Sequence, residues 1–125
     1  MIDKDRVPGT FDQAVQWLLA SLDDAAVKRI REGDEPSHHG FGTMLRNNWS
    51  LWERGTPFDL DFRARFGLSH GDDKSGLIFT AVKALVRGED VEAALAATVE
   101  RYKRHWASYN VDPLTCQLIR KEGDG

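Results

Sequence analysis

Two short segments of this 125-residue chain hold the side chains that could do chemistry, residues 40–52 and residues 70–75. The second reads His70-Gly71-Asp72-Asp73-Lys74-Ser75 and gathers an imidazole, two carboxylates and a hydroxyl at what looks like a helix start. Imidazole beside carboxylate can serve as a general base with its orienting acid, or can join a divalent metal. A metal would need more ligands, and only His38, His39 and His105 could add imidazole; the spacing matches no His-Glu-x-x-His motif, so no metal site is assigned. Asp72 reads equally well as a helix N-cap, with Asp73 in a first turn where the helix dipole favours acids. The free amides of that terminus, with Ser75 and the small Gly76, can cradle an anion. Two acids in the same place count against a bare phosphate and suit sugar or ribose hydroxyls, or a metal-bridged phosphate.

The first segment puts two glycines, an arginine, two amides and two tryptophans into what otherwise reads as one helix from about 40 to 54. Glycine costs about 1 kcal/mol relative to alanine inside a helix, so helix formation alone does not explain this composition. Arg46 carries the fork best suited to carboxylate or phosphate. At about 100° per residue it lies away from the arc of Phe41, Met44, Leu45, Trp49 and Trp52, on a strip with His39 and Glu53. Its structural alternative is a pairing with Asp72 or Asp73 across two packed helices. Asn48 falls inside the apolar arc, where a buried amide needs partners, and reads as a tie to a neighbouring loop. Trp49 and Trp52 read first as core, although one of four tryptophans is expected to edge a pocket.

Together the segments resemble an uncharacterised bacterial family, a domain of unknown function. Its members carry a His-x-Gly-x-Gly-x-x-x-Arg-Asn-x-Trp-x-Leu-Trp block and then a His-Pro-Asp-Asp-x-Ser block. Here the first runs from His38 to Trp52, and the second has Gly71 in place of the usual proline. The resemblance covers roughly residues 10–88. It implies that His38, Arg46, Asn47, His70, Asp72, Asp73 and Ser75 form one constellation; beside it, Trp49 is the tryptophan expected to edge the pocket. It implies no activity.

The elements that must position these residues read as helices throughout. Thr10 and Gln13 have capping-box form before Phe11, Ala14, Val15, Leu18, Leu19 and Leu22 at helical spacing. Asp23 or Asp24 caps a short second helix with Ala26, Val27 and Ile30, broken at residues 33–37. Residues 58–66 alternate apolar and charged like an edge strand, but no partner strand exists. An amphipathic helix on Leu60, Phe62, Arg63 and Phe66, ending at Gly67, fits better. The next helix opens at Asp72, buries Leu77, Ile78, Ala81, Val82 and Leu85, and stops at Gly88. Asp90 caps the last, whose inner stripe is Val91, Leu95, Thr98, Tyr102, Trp106 and Tyr109. A tail follows, held by Leu114, Leu118 and Ile119. The expected architecture is all-α: an extension over residues 1–9, a compact helical domain of five or six short helices over 10–109, and a tail over 110–125.

Composition bounds the rest. The length suits one core, and 41% hydrophobic with 30% charged residues fits a globular domain. A net charge of −3 and a pI near 5.8 give no footprint for nucleic acid. The single cysteine, Cys116, excludes an internal disulfide and a cysteine-based zinc site. No leader-like or membrane-spanning run is present, so a cytoplasmic protein with no membrane partner is expected. The leading functional expectation is a binding domain with a polar Arg/His/Asp pocket for an anionic or sugar-containing small molecule, a nucleotide among them. The alternatives are a hydrolase using His70 and Asp72 or Asp73, with or without a divalent metal, and a protein-interaction module of the inhibitor or immunity type. No cofactor is specified.

Overall fold

The structure, a computed structural model, describes residues 7–33 and 41–119. Among them are six helices and no strand beyond one isolated antiparallel bridge, Val111 with Leu118. They are α1 (Phe11–Ser21), α2 (Asp24–Arg31), α3 (Phe41–Asn48), α4 (Pro57–Phe66), α5 (Gly71–Arg87) and α6 (Val91–Ser108). The caps follow local side-chain chemistry. Thr10, Asp23, Thr56 and Asp90 each accept an amide from three residues on, and Gly67 and Gly88 close α4 and α5 in left-handed turns. No described helix is long and apolar enough to cross a membrane.

α5 is the hub and packs against α1, α2, α3 and α6. Its Leu77, Ile78, Ala81 and Val82 meet Phe11, Ala14, Val15 and Leu18 of α1, with Leu45, Trp49, Phe58, Phe62 and Leu95 completing the core. Leu85, expected inside, is 41% exposed. On α4 the buried face is Phe58, Asp59, Phe62 and Phe66, while Leu60 points outward. The helix expected there is present, but its face is rotated, because three phenylalanines at four-residue spacing bury more area than the leucine.

α3 is shorter than the pattern suggests. Ser50 takes φ 54°, and the Leu51 amide donates to the Arg46 carbonyl at 2.9 Å, a turn that ends the helix at Asn48. The helical wheel therefore stops there. Trp52 lies beyond it, half-exposed, and Arg46 is buried rather than set on an outer strip. Asn48 is half-buried and Met44 is exposed. The tail is held by backbone rather than by its apolar side chains: Ser69 donates its amide to the Pro113 carbonyl and its hydroxyl to that of Leu114. Leu118 and Ile119 are exposed.

The least expected feature is a fully buried ion pair. Lys74 Nζ lies 2.7 Å from Asp59 Oδ1 with both side chains out of solvent. The ammonium also donates to the Leu51 carbonyl at 3.0 Å and approaches that of Glu53 at 3.5 Å. Asp59 accepts the Gly55 amide at 2.9 Å, and Arg63 stands 3.6 Å from it. Burial pushes the Asp59 carboxyl up, but the Lys74 hydrogen bond, the Gly55 amide and the Lys74 and Arg63 charges outweigh it, so the group stays below its ordinary 3.8. Its contribution to stability is therefore present above that value and is lost as pH falls through the lower, folded one. Removing one partner strands the other: Lys74→Met is expected to cost about 3–5 kcal/mol in urea unfolding, and Lys74→Met with Asp59→Leu less than either change alone. A loss under about 1 kcal/mol for Lys74→Met would show that the pair does not hold the α3–α4 loop.

Candidate functional site

The start of α5 distributes its side chains to two sides. His70 is the N-cap, in place of the Asp72 cap expected from sequence: its Nδ1 accepts the Asp72 amide at 3.1 Å, and the Asp72 carboxylate pairs with Arg46 instead. On the α3 side, Arg46 Nη1 donates to Ser75 Oγ at 2.9 Å, Nη2 donates to Thr43 Oγ1 at 3.0 Å, and Nε stands 3.3 Å from Asp72 Oδ1. The guanidinium carbon is 5.4 Å from the centre of the Trp52 ring. Ser75 is buried and its hydroxyl also donates to the Asp72 carbonyl. Arg46, His70, Asp72 and Ser75 thus come together, but Arg46 and Ser75 form a wall and not an open surface. Trp49 lies in the core against Trp17, with its indole N–H buried and without a partner among the described residues. Asn47 is exposed on α3, and His38 lies outside the described residues.

Asp73 turns the other way, toward α6. There a cleft of about 350 Å³ is lined by Asp72, Asp73, Arg101, Tyr102, His105 and Trp106. Asp73 is 6% exposed and accepts the Trp106 indole N–H at 2.7 Å through Oδ2. Among the described residues its second oxygen takes no hydrogen bond. Burial raises the carboxyl above its ordinary 3.8, against the Trp106 hydrogen bond and the nearby His70 and His105. Burial, and then the Asp73 charge, likewise raise the Tyr102 hydroxyl above its ordinary 10.0. α6 comes this close because Gly76 has no side chain: a Cβ there would meet the Tyr102 hydroxyl.

Sequence reasoning missed Tyr102 and Arg101 as site residues and read Trp106 only as core. The signal was present, since Tyr102 and Trp106 at four-residue spacing turn an apolar stripe aromatic and polar beside Arg101 and His105. A larger groove of about 640 Å³ between the end of α4 and α6 has an apolar floor of Phe66, Leu95 and Val99 and holds none of the candidate site residues. Among the described residues, no group of three or more His, Cys, Asp or Glu side chains is placed to hold a metal ion.

The cleft combines a half-satisfied buried carboxylate, an exposed one, and the faces and edges of aromatic rings. That set accepts hydrogen bonds from hydroxyls or amines and packs against C–H surface. Two outcomes are expected. Arg46→Ala should cost about 1.5–3 kcal/mol in chemical unfolding through its lost charged hydrogen bonds; a neutral result would mark Arg46 as held for something other than the fold. Asp73 has the opposite pH sign to Asp59: with its folded value raised, the stability it allows is full below 3.8 and is lost as pH rises through the raised value. Thermal melts should therefore show Asp73→Asn gaining on the wild type as pH rises from 3.8 through the raised value. A constant difference would mean the carboxyl is not raised.

No curated protein and no solved structure matches the chain. The sequence model of one family, described as Domain of unknown function (DUF6794), matches residues 7–84, which run from before α1 into the last turn of α5. The chain belongs to that family.

Proposed function

We propose that this domain binds a sugar-containing small molecule in the cleft between the start of α5 and the second half of α6. The observation that carries the reading is Asp73: a carboxylate almost wholly buried, satisfied on one oxygen by Trp106 and bare on the other, at the wall of a cavity of ligand size. That second oxygen is not among the side-chain atoms sealed from solvent without a hydrogen bond, so it is open to the cleft and a ligand hydroxyl can take the place of water on it. Asp72, 42% exposed in its side chain, offers a second acceptor beside it. Trp106 and Tyr102 supply the apolar contact that sugar C–H faces require. Arg46 faces its own partners and does not line the cleft, so an anionic substituent, such as the phosphate of a nucleotide, falls to the exposed Arg101.

A second reading rests on the same pair. A carboxyl raised by burial next to an exposed carboxylate is the arrangement of a general acid with a base, and would make the domain a hydrolase of the bound sugar.

Calorimetric titration with ribose, glucose, N-acetylglucosamine and uridine monophosphate is the direct test. At least one is expected to bind saturably, and Asp73→Ala to weaken it about tenfold or more, equivalent to about 1.4 kcal/mol. Binding that Asp73→Ala leaves unchanged would place the ligand elsewhere. Release of free sugar from an aryl glycoside, lost in Asp73→Asn, would select the second reading.

A further inference from the structure

Five rings run in contact past the cleft: Trp52 after α3, His70 at the cap of α5, Trp106 and His105 on α6, and Tyr109 at its end. Their centroids follow one another at 5.5 Å from Trp52 to His70, 5.1 Å to Trp106, 5.3 Å to His105 and 5.2 Å to Tyr109. The third and fourth rings, Trp106 and His105, also line the cleft, so the row extends the cleft in both directions. Its ends stand in water, Trp52 51% and Tyr109 64% exposed.

The Trp52 end is built and not incidental. Its ring lies on the first residue of α5, where a Cβ on Gly71 would stand 2.6 Å from the ring, and the Arg46 guanidinium supports it. Lys74 holds the carbonyls of Leu51 and Glu53, the residues on either side. A large indole is thus fixed by backbone, glycine and cation while half of it remains in solvent.

We propose that the row is a platform for a chain of sugars, an oligosaccharide with one unit in the cleft against Asp73 and its neighbours on Trp52 and Tyr109. This rests on the reading of the cleft as a sugar site. Other extended ligands that use aromatic rows fit less well. Single-stranded nucleic acid carries a phosphate at every unit, which Asp72, Asp73 and a chain charge of −3 repel. A proline-rich peptide lacks N–H donors at its prolines, so it leaves the bare Asp73 oxygen unsatisfied. A neutral sugar chain has hydroxyl donors and C–H faces on every unit.

The test is calorimetry on the full chain with oligomers of one to six units of β-1,4-linked glucose, β-1,4-linked N-acetylglucosamine and α-1,4-linked glucose, with a decaproline peptide in parallel. In the series that binds, affinity should rise about tenfold or more from one unit to six. Trp52→Ala and Tyr109→Ala should each remove part of that gain, and the double variant most of it, with single-unit affinity unchanged. Asp73→Ala should weaken single units and long chains alike. Single-unit binding without any gain on lengthening overturns the platform and leaves the cleft reading standing; no binding in any series overturns the platform, and the cleft reading falls with it when ribose and uridine monophosphate also fail to bind. Decaproline binding that Trp52→Ala abolishes overturns the platform in favour of a peptide groove.

Discussion

The interaction on which the rest of this structure depends is the ammonium of Lys74 in a place with no water. A charge that deep is tolerated only where its three N–H groups are met, and here a carboxylate and two loop carbonyls meet them. One side chain on α5 thereby fixes α4 through Asp59 and the whole turn between α3 and α4 through Leu51 and Glu53. An apolar residue in that position would pack as well, but it would not dictate where the loop backbone lies. The pair therefore defines a position more than it adds stability, and that position is what presents Trp52.

Legibility in the sequence followed the reach of the interactions involved. Caps such as Thr10, Asp23 and Asp90, and stops such as Gly67 and Gly88, act within four residues, and all were readable. The end of α3 was not, because Ser50 gives no warning of a left-handed conformation that glycine or asparagine usually takes. The burial of Lys74 and Asp59 was not read from the sequence either. The clue was periodicity: Lys74 sits three and four residues before Leu77 and Ile78, and Asp59 three and seven before Phe62 and Phe66, each on a stripe that is otherwise buried.

The candidate site was legible by one half. The His-Gly-Asp-Asp-Lys-Ser run marked the correct helix start, and Arg46 does reach Asp72 and Ser75. What the sequence could not show is that consecutive aspartates part company, one toward Arg46 and one toward α6. That division follows from His70 taking the cap, which frees Asp72 to pair sideways, and from Trp106 arriving on the opposite side to claim Asp73. Both acids line the cleft, but which of them is buried against α6 and which is shared with Arg46 is decided by helices that pack from elsewhere in the chain, and no local pattern encodes it.

The family match stops at residue 84, while the cleft draws four of its six lining residues from α6. The site is therefore a seam. One wall is cut into the body that defines the family, anchored by its buried charges, and the other is a separate helix leaning on it across Gly76. None of residues 101, 102, 105 and 106 is a partner of Lys74, so a substitution among them reshapes one wall and leaves the buried charges in place, whereas any change at Asp73 alters the wall that lies within the family match.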